Sequence, residues 1–149
     1  HVVELFKYDK ENEDVVFKKD YDPSIPLFNL DKNQIIQALI NIIKNAIQAT
    51  NNKGTITIKT RAILKFTIGQ KKHDLVAKID VVDNGKGIPE SKLKEIFYPM
   101  VTSKPDGMGL GLTIAQSIIT QNHGLIECTS SKNHTTFSII LPWSTEDDI

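Results

Sequence analysis

The chain contains 149 residues, in which 18 Lys and Arg residues balance 18 Asp and Glu residues. This length fits one domain with a substantial core. The zero net charge excludes a global attraction to nucleic acid or to an anionic membrane, and the longest apolar runs, such as residues 139–141, are too short to span a bilayer. The single cysteine, Cys128, excludes an internal disulfide and favours a reducing compartment, so we expect a cytoplasmic location.

The first half of the chain predicts a strand, a helix and three more strands. Residues 15–21 are typical of a strand that ends before Pro23. Asp31 and Gln34 have the spacing of a capping box, so a helix begins there and runs to about Thr50. Further strands are predicted at 55–60, 62–68 and 74–82, and a hairpin at 69–72 joins the last two.

The predicted helix has an apolar and a polar face. Its apolar residues recur at intervals of three and four, which predicts the core-facing stripe of an amphipathic helix: Ile35, Leu39, Ile42, Ala46 and Ala49. Polar residues follow a similar spacing on another face: Gln37, Asn41, Lys44, Asn45 and Gln48.

The second half predicts two helices and two strands around an irregular loop. A short helix fits residues 90–96, with Pro89 at its first turn. No period holds from 97 to 107, where we expect a mobile lid. A helix at 110–121 and strands at 125–130 and 135–141 follow. Together the elements predict a single domain over 1–149, an α/β two-layer sandwich whose mixed sheet is covered on one face by about three helices.

Three glycines at every second position, Gly107, Gly109 and Gly111, lead into the 110–121 helix. A helix start presents unpaired N–H groups and a partial positive charge, so a bare backbone there can seat a phosphate. A plain glycine-rich turn is an equally common interpretation of such a run by itself.

Two asparagines, Asn41 and Asn45, lie four residues apart and therefore on one helix face. Their amide oxygens suit Mg²⁺, which takes only one or two protein ligands beside phosphates and water. Simple solvation is the alternative. However, asparagine is a poor helix former, so two within an apolar segment indicate some local function.

Asp83 ends an apolar strand just before Gly85 and Gly87. A carboxylate in this position can accept a hydrogen bond from an exocyclic amine, which adenine carries and guanine lacks at the same position. An aspartate that merely initiates a turn is the alternative. The four histidines share no metal-ligand spacing, and Cys128 is expected to be a small core residue rather than a nucleophile.

Four motifs closely resemble, in order, the asparagine, first glycine, phenylalanine and second glycine boxes of sensor histidine kinases. They are Asn41-x-x-x-Asn45-Ala46, Asp83-x-Gly85-x-Gly87-Ile88-Pro89, Ile96-Phe97-Tyr98-Pro99 and Gly107-x-Gly109-Leu110-Gly111-Leu112. Segments 21–26, 61–79, 97–101 and 134–137 are similar to nitrogen-regulation sensor kinases. The resemblance implies a catalytic ATP-binding domain with the fold shared by gyrase, heat-shock-90, histidine-kinase and MutL proteins.

By this resemblance, ATP and Mg²⁺ are the expected cofactors. Asn45 would hold Mg²⁺, Asn41 would assist in the same shell, and Lys44 and Lys104 are plausible phosphate contacts. Adenine would be bound by Asp83 with Gly85, Gly87 and Ile88, and phosphates by Gly107, Gly109, Leu110, Gly111 and Leu112. Thr135 corresponds to the threonine of the family's last motif. The glycine that usually precedes it is missing, but Asn133 can adopt the left-handed backbone of a turn.

The resemblance implies a protein histidine kinase that phosphorylates a histidine on a separate dimerisation module. The nitrogen response regulator and the PII signal protein are the expected partners, with no nucleic-acid or membrane partner. A hydrolytic clamp ATPase of the same fold is the alternative, but such enzymes resemble one another in having a glutamate where this chain has Asn41, which cannot act as a base. Because the chain starts at His1 and no histidine lies in a phosphoacceptor helix, we expect a fragment that lacks that module.

Overall fold

Five strands form one mixed sheet within residues 1–97 and 111–143, the part of the chain that the computed structural model describes. The strands are β1 (Val16–Asp20), β2 (Thr55–Ile68), β3 (Lys71–Asp83), β4 (Leu125–Ser131) and β5 (His134–Pro142). They lie in the spatial order β1-β2-β3-β5-β4. β1 pairs with β2 in parallel, and the other neighbours are antiparallel.

The helices complete a two-layer sandwich, as predicted. The helices are α1 (Val2–Lys7), α2 (Lys32–Ala49), α3 (Glu90–Leu93) and α4 (Gly111–Gln121). The two long helices, α2 and α4, pack against each other and against the sheet, while α1 packs on α2. The sequence pattern did not predict α1 or the 3₁₀ turn Lys10–Asn12. In the described residues, no helix is both long and apolar enough to cross a membrane.

The start of α2 confirms half of the predicted capping box. Asp31 Oδ1 accepts hydrogen bonds from the backbone N–H groups of Asn33 and Gln34, at 3.1 and 3.3 Å. Gln34 does not reach back to the cap. Its Oε1 instead accepts a hydrogen bond from Asn122 Nδ2 at 3.0 Å, which ties the start of α2 to the end of α4.

The core lies between α2, α4 and the sheet. In α2 the buried face is broader than the predicted stripe, and Leu39 and Ala49 are only half-buried. Ile42, Ala46, Ile56, Val81, Ile119, Phe137 and Ile139 are all fully buried. Full burial of the larger of these side chains, the Val, Ile and Phe residues, stabilises the fold by about 1.5–3 kcal/mol each relative to exposure. The buried residues of α2 are Ile35, Ala38, Ile42, Ile43, Ala46 and Ile47.

The prediction of two separate strands at 55–60 and 62–68 is wrong, because β2 is continuous from Thr55 to Ile68. Arg61 interrupts the apolar pattern, but its guanidinium binds the Asp20 carboxylate at 2.7 Å and the Asp20 carbonyl at 3.0 Å. A charged residue therefore fits within the strand because the end of β1 lies beside it. The hairpin turn at Gly69 and Gln70 follows the prediction, with φ of +61° at Gly69.

Two further boundaries differ in detail from the predictions. The predicted helix 90–96 ends at Leu93, and Pro89 is its N-cap rather than its first helical residue. The predicted lid begins at Phe97, yet this ring packs edge-on against Phe137, with centroids 6.2 Å apart. The remainder of the lid, 98–107, lies outside the described residues. The expected left-handed turn residue is present, since Asn133 has φ of +61°.

Candidate functional site

A cavity of about 980 Å³ opens between α2, the segment after β3, the start of α4 and the β4–β5 turn. It collects residues that are far apart in the sequence. Among the described residues, six of the predicted site residues line it: Asn45, Asp83, Gly87, Ile88, Leu112 and Thr135.

Asp83 lies at the floor of this cavity, at the end of β3. Its side chain is 1% exposed, although aspartate is rarely buried so completely. Asp83 Oδ1 accepts a hydrogen bond from the Gly85 backbone N–H at 2.9 Å. The side chain is therefore fixed by the glycine turn that follows it, which is the contact expected from the alternative interpretation of Asp83 as a turn-initiating aspartate.

The two glycines of that turn are required because the backbone of neighbouring segments lies where a side chain would be. A Cβ on Gly85 would collide with the carbonyl group of Ala49 in α2. A Cβ on Gly87 would lie 2.7 Å from the Ser131 carbonyl oxygen, and the φ of +83° at Gly87 is itself unfavourable for other residues. Both glycines thus let the loop pack tightly between α2 and the β4–β5 hairpin beside Asp83.

Thr135 neighbours Asp83 across the sheet, because the β3–β5 register pairs these two residues. The Thr135 side chain is 3% exposed, and its hydroxyl lies 2.8 Å from Ser130 Oγ. Ser130 Oγ also accepts a hydrogen bond from the Ile88 backbone N–H at 2.8 Å. Ser130 was not predicted as a site residue, because only the β4–β5 register reveals that it lies opposite Thr135.

The two asparagines of α2 have different surroundings. Asn45 is half-buried and lines the cavity. Asn41 is not among the residues that line it. Its Oδ1 accepts from Gln37 Nε2 at 2.9 Å, and its Nδ2 donates to the Gly111 carbonyl at 3.2 Å. Lys44 is exposed and also lies outside the cavity lining.

The second glycine run is only partly described. Gly111 begins α4, is exposed, and has open space where a Cβ would lie. Lys104, Gly107, Gly109 and Leu110 lie outside the described residues.

Several lysines that line the cavity were not among the predicted site residues. Lys86, Lys92 and Lys132 come from the glycine turn, α3 and the β4–β5 turn, alongside Glu90 and Glu95. Lys86 could have been found because it lies inside the Asp83–Gly87 motif. The other two needed the topology, since they lie in unremarkable polar segments. The lining therefore carries both cationic and anionic side chains.

Cys128 has the chemistry of a core residue, as predicted. It is half-buried, and burial raises the pKa of its thiol to about 12, with a smaller effect from the charge of Asp83. A thiol with this pKa carries almost no thiolate at neutral pH, so Cys128 is not an activated nucleophile.

The side-chain donors of the cavity suit a magnesium ion that is coordinated mainly by a bound ligand rather than by the protein. In the described part of the chain, no group of three or more His, Cys, Asp or Glu residues could enclose a metal. The Asn45 amide, which lines the cavity, is the type of neutral oxygen donor that Mg²⁺ accepts beside phosphate oxygens and water.

The fold and this cavity define a nucleotide-binding ATPase class. The model of the histidine kinase-, DNA gyrase B-, and HSP90-like ATPase family matches residues 30–145, so the chain belongs to that family. Within it, the chain is 47% identical over 131 residues to the sensory histidine kinase/phosphatase NtrB of Proteus hauseri. That alignment covers 87% of this chain and 38% of the relative, so the chain spans well under half of the relative's length.

The fold is also similar to that of solved histidine kinase domains. The nucleotide-free catalytic domain of histidine kinase ThkA matches with a TM-score of 0.80 and 29% identity, over 95% of this chain and 88% of that one. ThkA in complex with the response regulator protein TrrA matches with a TM-score of 0.76 and 27% identity, over 96% of this chain and 38% of that one. The predicted resemblance to a sensor kinase catalytic domain of the nitrogen-regulation type is confirmed.

Proposed function

We propose that this chain binds Mg²⁺-ATP in the cavity and transfers the γ-phosphoryl group to a histidine on a separate module of its own kinase. One observation carries the proposal: Asn45, Asp83 and Thr135, from three different elements, line the same cavity. Membership of the ATPase family and the similarity to NtrB and ThkA support it.

The buried carboxylate gives the cavity its base preference. Asp83 would accept a hydrogen bond from the exocyclic amine of adenine. The glycine turn, which packs closely against Ala49 and Ser131 and donates to Asp83 from the Gly85 N–H, would hold this carboxylate in place. A carboxylate held in a site with little water makes a stronger and more selective hydrogen bond than an exposed one.

Phosphoryl transfer depends mainly on positioning and charge neutralisation. Asn45 would hold Mg²⁺, which neutralises phosphate charge when bound. Lys44 and Lys104 would contact phosphates, and the second glycine run (Gly107, Gly109, Leu110, Gly111 and Leu112) would provide the phosphate seat at the start of α4. The acceptor imidazole needs little help from a base, since it is nucleophilic when neutral.

The histidine kinase is preferred to the clamp ATPase because of Asn41. An ATPase needs a group that activates water, and an amide cannot accept a proton at neutral pH. Both functional groups of the Asn41 amide are also hydrogen-bonded, to Gln37 and to Gly111. Asn41 would therefore assist from beside the metal site rather than as a base.

The longer protein would pass the phosphoryl group to an aspartate of a nitrogen response regulator, under control of a PII signal protein. The complex of ThkA with TrrA supports a response regulator as a partner. The nitrogen-specific regulator and the PII signal protein are proposed from the resemblance to nitrogen-regulation sensor kinases. A cytoplasmic location is part of the same proposal, and the free thiol of Cys128 agrees with it.

Calorimetric titration with ATP and with GTP, each with and without Mg²⁺, tests the nucleotide site. We expect ATP to bind, Mg²⁺ to strengthen that binding, and GTP to bind at least tenfold more weakly. Equal affinity for the two nucleotides, or no binding of ATP, would contradict the proposal.

A further inference from the structure

The loop between β3 and α3 is fixed at both ends by side chains from one row of the sheet. At its start, the Gly85 N–H donates to Asp83 Oδ1 at 2.9 Å. At its end, the Ile88 N–H donates to Ser130 Oγ at 2.8 Å. Asp83, Thr135 and Ser130 are register partners across β3, β5 and β4. One row of three side chains therefore sets the position of the whole loop.

The hydroxyls of Ser130 and Thr135 share one hydrogen bond of 2.8 Å, in which either can be the donor. Each hydroxyl has one proton and two lone pairs. The Ile88 N–H occupies one lone pair of Ser130 and cannot accept, so the pair retains one O–H group beyond its shared bond. Because Ser130 and Thr135 both line the cavity, that O–H group is a hydrogen-bond donor at the cavity floor.

When Ser130 donates the shared hydrogen bond, the remaining O–H group belongs to Thr135. The floor then presents a carboxylate acceptor at Asp83 beside a hydroxyl donor at the next position across the sheet. Adenine offers the complementary edge, an amine donor beside the acceptor N1. Guanine offers the reverse order, a carbonyl acceptor beside an N1–H donor. The arrangement of the two hydroxyls is therefore suited to discriminate between the bases, provided that Thr135 is held in its present orientation.

We infer that Ser130 is a positioning residue for base recognition, which fixes the Thr135 hydroxyl and the glycine loop together through its two hydrogen bonds. The inference rests on the proposed nucleotide function of the cavity. Ser130 acts through Thr135 and Ile88. Its loss should therefore weaken the selection of the base edge more than the overall binding of a triphosphate.

The test compares ATP with 1-deaza-ATP, which keeps the amine but lacks the N1 acceptor. Affinities are measured by calorimetry in the presence of Mg²⁺. Wild type should prefer ATP by about five- to tenfold, the effect of one hydrogen bond. Ser130→Ala should lose most of this preference, and Ser130→Thr, which keeps the hydroxyl, should retain it. A merely structural role would weaken both ligands equally and leave their ratio unchanged.

Two further variants keep the test decisive. Ser130→Cys preserves the size of the side chain, but its thiol hydrogen-bonds weakly. This variant should therefore also lose the preference for ATP over 1-deaza-ATP, and it provides the test even if Ser130→Ala unfolds. Ser138→Ala removes a hydroxyl from the same sheet, where Ser138 Oγ donates to Asp80 Oδ1 at 2.6 Å, and should keep the wild-type ratio.

The possible results separate the two proposals. If wild type binds ATP but does not distinguish it from 1-deaza-ATP, or if Ser130→Ala and Ser130→Cys keep the preference, the role of Ser130 is wrong and nucleotide binding stands. If wild type binds no ATP, the proposed function itself is wrong, and the role of Ser130 falls with it.

Discussion

The Asn41 side chain donates a hydrogen bond to the Gly111 carbonyl across 3.2 Å, joining the middle of α2 to the first residue of α4. Gln37 completes the arrangement by donating to Asn41 Oδ1 at 2.9 Å. Asn41, which we propose assists beside the metal site, therefore also anchors the helix that follows the second glycine run. Its two hydrogen bonds fix the orientation of the amide, because a flipped amide would set carbonyl against carbonyl.

Replacement of Asn41 by Asp should loosen the start of α4. The substitution keeps the shape of the side chain but removes the donor and leaves a carboxylate facing the Gly111 carbonyl. We expect faster hydrogen exchange in the first turns of α4 and a stability loss of about 1–2 kcal/mol. Gln37→Ala is the matched control, since it preserves the donor to Gly111. Equal exchange in wild type and Asn41→Asp would rule out the anchoring role.

Replacement of Asp83 by Asn should weaken ATP binding while the fold is retained. The amide keeps an oxygen that can accept from the Gly85 N–H, which Asp83 Oδ1 does now at 2.9 Å. It loses the charge that would strengthen a hydrogen bond from the adenine amine. The loss should be on the order of 1.5–3 kcal/mol of binding free energy. Calorimetry measures it directly, and an unchanged ATP affinity in the folded variant would remove Asp83 from base recognition.

The sequence predicted the parts of the site that follow from local spacing. The Asp-x-Gly-x-Gly motif places glycines at the two positions of the turn where a side chain would not fit. Asn45 lies on the polar face of α2 that the helical period indicates. The predicted turn at Asn133 also needed only local backbone preference, and its φ of +61° agrees with it.

What the sequence could not predict depends on partners from distant segments. Arg61 continues β2 because Asp20 lies beside it at the end of another strand. Gln34 leaves its expected capping role because Asn122, just beyond the end of α4, offers a partner. Ser130 enters the site only through strand register. For Arg61 and Gln34 a tertiary contact outweighed a local preference, and for Ser130 the sequence carried no local signal.

Alanine should destabilise the fold at Gly87 but not at Gly111. A Cβ at Gly87 would meet the Ser131 carbonyl oxygen at 2.7 Å in a left-handed backbone, whereas a Cβ at Gly111 would meet nothing within 4 Å. We expect Gly87→Ala to lose about 1–3 kcal/mol, and Gly111→Ala to be neutral or to gain up to about 1 kcal/mol from helix propensity. Urea denaturation of the two variants measures the difference. Comparable losses would mean that space at Gly87 is not the constraint.

The Asp22 carboxylate should stabilise the fold in a pH-dependent way. Hydrogen bonds from the Ser24 hydroxyl at 2.6 Å and from the Ala62 and Ser24 backbone N–H groups, both at 2.9 Å, lower its pKa to about 2. Because the pKa of the folded state lies below the ordinary value of 3.8, this stabilisation is complete above about pH 4 and is lost as the pH falls toward 2. Asp22→Asn should therefore flatten the dependence of the urea midpoint on pH in that window.

A direct titration checks the cause of this shift. The carboxyl resonance of Asp22 should titrate near pH 2 in wild type and closer to its ordinary value in Ser24→Ala, since the Ser24 hydroxyl makes the largest contribution. An Asp22 that titrates normally in wild type would show that these hydrogen bonds do not favour the charged form.

Replacement of Asn45 by Ala should abolish phosphoryl transfer without unfolding the domain. Asn45 lines the cavity, and Ala46 beside it is fully buried, so the substitution removes the proposed metal anchor but leaves the core face of α2 intact.

The assay supplies γ-labelled ATP and the phosphoacceptor module of the parent kinase, and follows acid-labile label on that module. Lys32→Ala, at an exposed position of α2 outside the cavity lining, is the control and should retain most of the transfer. Because positioning by a linker mainly raises effective concentration, the separate module should still be phosphorylated, though slowly. Rapid multiple-turnover hydrolysis by the domain alone would instead favour the clamp ATPase.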